Sequence, residues 1–297
     1  ASTTKIMTAL IVCEQCNVLD RMAIPKEAVG IEGSSMYLKE ASFHEYSWNP
    51  EAVGYKLGDL LKIFTKDAIQ YKCTLAFAGS QTVREHNIEV IHDAWEHDIM
   101  LQKPGKLVWN DYYIECYFIQ SKTYSNDSNT RTLNDCTIYC PYPFWIKETK
   151  YEIQATGADQ IIDGLDFPFD LPCDLGVAGY RKVINFDVSI PLDFRIVVHG
   201  VVTTPSININ GHLYEVNVTI PQNSTLTISS IEKNDREKAV VLTYPSGTQT
   251  SVLYARNRQS YIFEPITPKN GQIIVTTAQT MNFDLYLIEK RSEPKWT

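Results

Sequence analysis

Tyr112-Tyr113-Ile114-Glu115-Cys116-Tyr117-Phe118-Ile119-Gln120-Ser121-Lys122 decides the fold class. The run is aromatic and β-branched, the composition of a strand packed on a pleated, half-buried surface. The polar loop Ser125-Asn126-Asp127-Ser128-Asn129 follows, and residues 132–139 resume the same composition, so the two runs read as a hairpin. Working outward, Pro104-Gly105 marks a turn before a shorter strand at residues 106–109. Downstream, Pro141-Tyr142-Pro143-Phe144-Trp145 closes the unit, because prolines are excluded from central strands.

Upstream lie a strand at residues 71–77 and a helix at about residues 82–98, with Ile88, Ile91 and Trp95 on its buried side. Val53, Leu57, Leu60, Leu61 and Phe64 fall at i, i+4, i+7, i+8 and i+11, the stripe of another amphipathic helix. Residues 155–180 lack periodicity and carry Gly157, Gly164, Pro168, Pro172, Gly176 and Gly179, which suits a linker or arm. From Arg181 onward, strand-like runs separated by turns such as Asn210-Gly211, Ser246-Gly247 and Lys269-Asn270-Gly271 have the spacing of an all-β sandwich.

Composition sets limits on function. The chain has 297 residues, 44% hydrophobic and 21% charged, enough for two globular domains. A net charge of −8 argues against a nucleic-acid grip, which needs a basic stripe to displace counterions. No apolar run reaches the roughly 18 residues of a membrane span. Cysteines number 7 at irregular spacing, which is no disulfide framework and suits a protein made in a reducing cytoplasm. Cys13 and Cys16 form a Cys-x-x-Cys outside any redox-motif context, and Cys136 and Cys140 read as core residues of a strand.

The amino terminus reads differently. Ser2-Thr3-Thr4-Lys5 precedes the apolar run of residues 6–12, a Ser-x-x-Lys in which Lys5 could take the proton of a nucleophilic Ser2. Together with Asn17-Val18-Leu19-Asp20 and residues 26–35, this resembles the D-alanyl-D-alanine carboxypeptidases. Such sites also need a Lys-Thr/Ser-Gly strand beside the oxyanion hole, and the chain contains none. Ser47-Trp48-Asn49, Tyr124-Ser125-Asn126 and Ser206-Ile207-Asn208 match the loose middle element, as chance alone would produce. The strands expected before the nucleophile are also missing. Residues 1–40 are therefore expected to be a remnant of a gene fusion or a mis-joined reading frame, with no catalytic residues; were the peptidase reading to hold, these would be Ser2 and Lys5.

Residues 41–297 carry a second resemblance. It begins at Ala41-Ser42-Phe43-His44-Glu45-Tyr46-Ser47-Trp48 and runs through Asp111-Tyr112-Tyr113-Ile114-Glu115-Cys116-Tyr117 and Tyr139-Cys140-Pro141-Tyr142-Pro143-Phe144-Trp145. It ends at Glu289-Lys290-Arg291-Ser292-Glu293-Pro294-Lys295-Trp296. In these signatures the chain resembles the distal tail proteins of long-tailed bacteriophages. The resemblance implies a mainly β fold, α+β in its amino-terminal part: a β-barrel with one or two helices, then a galectin-like β-sandwich. The expected organisation is a remnant over 1–40, a ring-forming domain over 41–150, an arm over 151–180 and a sandwich over 181–297. Met36-Tyr37-Leu38-Lys39-Glu40 is positioned to supply the first barrel strand.

The implied role is a structural, non-enzymatic component of a phage or prophage tail tip, a ring (hexameric by resemblance) between tail tube and baseplate. Its implied partners are itself, the tail tube, the tape-measure protein and tail-tip proteins. No sequence-specific nucleic-acid binding, membrane insertion, cofactor or metal is expected. The expected location is the virion tail, after synthesis in the bacterial host cytoplasm. The alternatives are a peptidoglycan D,D-carboxypeptidase fragment and a carbohydrate-binding module.

Several constellations have plainer readings beside functional ones. His92/Glu96 and Asp93/His97 have metal-ligand spacing, with His86 and Glu89 nearby, yet also suit the solvated face of an amphipathic helix. Asp163, Asp166, Asp170 and Asp174 offer oxygen ligands but fit no EF-hand loop. Tyr142, Phe144 and Trp145 suit either a sugar platform or a hydrophobic plug. In the sandwich, Tyr214, Tyr244, Tyr254 and Tyr261 are the residues a sugar site would use, and each suits the core as well. Asn217-Val218-Thr219 and Asn223-Ser224-Thr225 are sequons by pattern only.

Overall fold

The computed structural model describes residues 35–125, 131–155, 161–162, 177–178, 180–232 and 238–295. Ser2, Lys5, Cys13 and Cys16, the apolar run of residues 6–12, and Asp163, Asp166, Asp170 and Asp174 lie outside the described residues. The fold is mainly β, with one α-helix among the described residues. Two compact units emerge from the contacts of the chain: Ala1–Lys147 with Lys290–Thr297, and Glu148–Glu289.

The first unit contains β1 (Ser35–Ala41), β2 (Asn49–Tyr55), β3 (Gly58–Thr65), β4 (Ile69–Ala78), α1 (Gln81–Met100), β5 (Gly105–Trp109), β6 (Tyr112–Ser125), β7 (Arg131–Cys140) and the start of β8 (Trp145–Ala155). β1 is the strand expected at residues 36–40. Strands pair in the order β1-β4-β7-β6, with β5 also on β6. Among the described residues this sheet stays open, so the expected barrel is not closed. Alternation explains the strands: β5 reads buried, half-buried, buried, half-buried, buried, which turns Leu107 and Trp109 inward.

Their side chains join an aromatic centre in which Phe43 meets Tyr71, Trp109 and Trp145 edge-on at 5.5, 5.5 and 5.9 Å. Edge-to-face packing at such distances adds about 0.5–1.5 kcal/mol per pair to the burial itself. A bulge between Phe118 and Gln120 inserts Ile119 into β6, leaves it exposed, and re-aims the strand. Beyond the bulge Ser121 and Thr123, rather than their even-numbered neighbours, reach Asn134.

α1 buries Arg84, Asn87, Ile91 and Trp95, with Ile88 half-buried against the same core. Arg84 serves the helix start, its Nη1 donating to Gly79 O at 2.9 Å. The second amphipathic helix, expected from Val53 to Phe64, is instead the β2–β3 hairpin, with Tyr55 paired to Gly58 across Lys56 and Leu57. A helix would have placed Gly54 and Gly58 in its interior at about 1 kcal/mol each. Gly58 also takes φ +106, outside the helical region and open to glycine alone at little cost.

The second unit holds the rest of β8, β9 (Ile161–Ile162), β10 (Val177–Ala178), β11 (Tyr180–Asn185), β12 (Asp193–His199), β13 (Val202–Thr203), β14 (Ser206–Ile209), β15 (His212–Glu215), β16 (Thr219–Ile220), β17 (Thr225–Ser229), β18 (Ala239–Thr243), β19 (Gln249–Ser251), β20 (Gln272–Thr277) and most of β21 (Met281–Arg291). One sheet runs β21-β12-β17-β18-β19 and another β11-β20-β14-β15. Inward residues on alternate positions, among them Phe194, Ile196, Val198, Leu226, Ile228, Ile273, Val275, Phe283 and Leu285, fill one core. This is a β-sandwich, as the turn spacing predicts.

Candidate assembly surface

The hairpin is the most unusual surface of the first unit. All seven residues of β2 and all but the last of the eight of β3 are exposed. Val53, Tyr55, Leu57, Leu60, Leu61, Ile63 and Phe64 stand in water, Leu57 at 99% and Tyr55 at 79% exposure. Leu60 and Leu61, or Ile63 and Phe64, are successive residues and point to opposite faces. Both faces of the ribbon are therefore apolar and uncovered. An isolated two-stranded hairpin is marginal in water, and contiguous exposed apolar surface marks interaction sites.

Polar and aromatic residues fix the root. Asn49 Nδ2 donates to Asp67 Oδ2 at 2.6 Å, and Thr65 Oγ1 donates to Asn49 O at 3.4 Å. The Lys66 ammonium lies 4.8 Å from the ring centre of Phe144, 5.4 Å from Trp48 and 5.8 Å from Tyr46. Its Nζ is shielded from solvent with no hydrogen-bond partner. Burial pushes the Lys66 pKa down to about 8, while the three ring faces favour the cation. Trp48 Nε1 donates to Ser292 Oγ at 3.1 Å, which ties the root to the carboxy-terminal segment of the same unit.

The other expected sites separate on inspection. Trp145 is fully buried and donates to Tyr71 OH at 3.3 Å, while Phe144 covers Lys66 and Tyr142 lies against Lys290 at 5.5 Å. The plug reading fits all three. His92 does not sit on a solvated face: its Nε2 is 2.9 Å from Ser121 Oγ and 3.1 Å from Asn134 Nδ2. His86, Glu89, Asp93, Glu96 and His97 are exposed, and no metal-holding cluster of three such groups occurs among the described residues.

In the sandwich, Tyr214 is buried with its hydroxyl donating to Glu264 O at 2.7 Å, and burial pushes its pKa up. Tyr254 and Tyr261 are exposed. On β21, Asp284 faces His199 at 3.1 Å and Lys150 at 3.3 Å. Burial opposes its ionisation, but these two partners outweigh it and lower its pKa.

Sequence reasoning missed the hairpin and the Lys66 enclosure. The available signal was Gly54 and Gly58 inside a run otherwise periodic enough for a helix.

This architecture, a mainly β first unit with one helix followed by a β-sandwich, defines a two-unit β class. No family model matches the chain, and no curated protein matches it. Among solved structures it is similar to the Dit (gp 19.1) protein of phage SPP1, a paradigm of the hub adsorption apparatus in phages infecting Gram-positive bacteria. Identity is 10% and the TM-score 0.50, over 88% of this chain and 100% of that one. A chain of the phage P2 baseplate in its activated conformation with calcium gives 12% identity and a TM-score of 0.48, over 87% and 92%. The strontium form gives 11% and 0.48 over the same shares. At such identities the likeness to the SPP1 protein is one of fold.

Proposed function

We propose that this chain is a structural component of a phage or prophage tail tip, a distal tail or baseplate hub protein that forms a closed, hexameric ring between tail tube and baseplate. The observation that carries the reading is the β2–β3 hairpin, apolar on both faces and uncovered in the single chain. The fold likeness to the SPP1 protein supports it. A hairpin that leaves its own unit bare is suited to a neighbouring copy, and head-to-tail contacts of this kind close into rings when the rotation permits.

In this reading residues 41–150, joined by residues 290–297, build the ring, 151–180 form an arm, and 181–289 form a peripheral sandwich that docks protein. The tail tube, tape-measure and tail-tip proteins are its partners, and the virion tail is its location after synthesis in the host cytoplasm. The role needs no cofactor and no catalysis.

Light scattering and negative-stain imaging test it. The purified chain should form rings about as wide as a tail tube, and Leu60→Glu with Phe64→Glu should yield monomers with unchanged circular dichroism. A monomeric wild type, or rings indifferent to the double variant, would overturn the reading.

A further inference from the structure

β7 carries Cys136 and Cys140 four residues apart, hence on one side of the strand. Each meets a cysteine across the ladder. Cys136 is the direct register partner of Cys73 on β4. The register that pairs Tyr117 with Tyr139 sets Cys116 on β6 opposite Cys140. The Cys136 thiol donates to Asn134 Oδ1 at 3.2 Å. Directly opposed residues on antiparallel strands have Cα atoms about 4.5 or 5.5 Å apart. A disulfide spans roughly 4.4–6.8 Å. Both pairs therefore meet the distance requirement with little backbone movement.

Their surroundings differ. All four cysteines belong to one buried cluster, in which Cys116 and Cys140 are 1% and 0% exposed. Cys73 and Cys136 are 5% and 3% exposed. On its other side Cys73 pairs with Ala41, the last residue of the edge strand β1, and strand ends open at low free-energy cost. Both residues also border a concave cavity of about 540 Å³ whose lining includes Lys72, Lys122 and Asp135. Lys72 and Thr74 flank Cys73 and point to the opposite face of the sheet.

The geometry points to Cys73 and Cys136 as an oxidisable dithiol, closed into a cross-strand disulfide between β4 and β7 by a small disulfide such as oxidised glutathione, while Cys116 and Cys140 stay reduced. Cys73 lies beside the end of the edge strand β1 and is the more exposed of the two, so it attacks first. Its thiolate attacks one sulfur of the reagent, expels one thiolate and leaves a mixed disulfide. Cys136 then passes its proton to solvent, attacks the Cys73 sulfur and expels the second thiolate. The protein loses two protons and two electrons, and the reagent leaves as two thiols.

The test uses the full chain, reduced, desalted and incubated with oxidised glutathione under native conditions. Remaining thiols are blocked with N-ethylmaleimide after denaturation, and tryptic peptides are analysed by mass spectrometry. Peptide 73–84 joined to peptide 132–147 should exceed peptide 107–122 joined to 132–147 by about tenfold or more, because exposure of the thiol governs its oxidation. In Cys136→Ala the reaction should stop at a glutathione adduct on Cys73. Should Cys73 and Cys136 both remain alkylatable in the folded wild type, or should the linkage through Cys116 form first, the proposal fails.

Discussion

Trp95 of α1 lies flat on Phe118 of β6, with ring centres 4.2 Å apart and planes 3° from parallel. This stack is the main apolar contact fastening the helix to the sheet, and the bulge after Phe118 ends the aromatic track at that point. Trp95→Ala is expected to cost about 3–5 kcal/mol, the usual range for truncating a buried large aromatic. Chemical denaturation should show it, and Trp95→Phe should recover more than half.

Asn87 has the opposite character. It is 1% exposed, and neither its amide nitrogen nor its amide oxygen has a hydrogen-bond partner. Leaving such a group unsatisfied costs about 1–3 kcal/mol. Asn87→Leu, which keeps the branching at Cγ and removes both polar atoms, should therefore raise the denaturation midpoint without altering the slope of the transition.

Lys66 makes a signed prediction about pH. Its pKa is near 8 in the fold against an ordinary 10.5, so between those values the unfolded chain binds more protons than the folded one. Stability should rise with pH across that window and show no Lys66 dependence below it. The side chain is half-open and faced by three rings that favour the cation, so the amplitude should stay under about 1 kcal/mol. Lys66→Met should flatten the rise, which denaturation midpoints at pH 7.5, 9 and 10.5 would reveal.

Gly58 holds the hairpin turn at φ +106, with nothing within 4 Å of the position a Cβ would take. The penalty for a side chain there is backbone strain alone. Gly58→Val should cost about 1–3 kcal/mol locally. Amide exchange should accelerate across residues 49–65 while β4, β6 and β7 keep their protection, and ring formation should weaken in step.

The strands were legible where burial alternates residue by residue. β4, β5, β6 and β7 end within three residues of the boundaries that composition suggests. The turns Asn210-Gly211 and Asn270-Gly271 also sit where expected, each with an Asn and Gly at positive φ. The hairpin was not legible because Val53, Leu57, Leu60, Leu61 and Phe64 satisfy a 3.6-residue period by coincidence, and both faces are apolar, which removes the alternation a strand normally shows. The lysine enclosure was hidden for another reason. It joins Tyr46, Trp48, Lys66 and Phe144, and Trp48 reaches Ser292 across a sequence separation of 244 residues, a contact no local pattern encodes. The inward turn of Ser121 depends on a single inserted residue that composition does not mark.

The carboxy-terminal segment, Lys290–Thr297, belongs to the same unit as Ala1–Lys147, with the whole of Glu148–Glu289 between them. A ribosome delivers the chain in order, at about 5–20 residues per second. The sandwich residues can all emerge and pack while the first unit still lacks this segment, and Trp48 waits for Ser292 until the sandwich has been read through. The unit that carries the exposed hairpin is thus completed after the sandwich, and the hairpin's root is finished only once the whole intervening unit has been made.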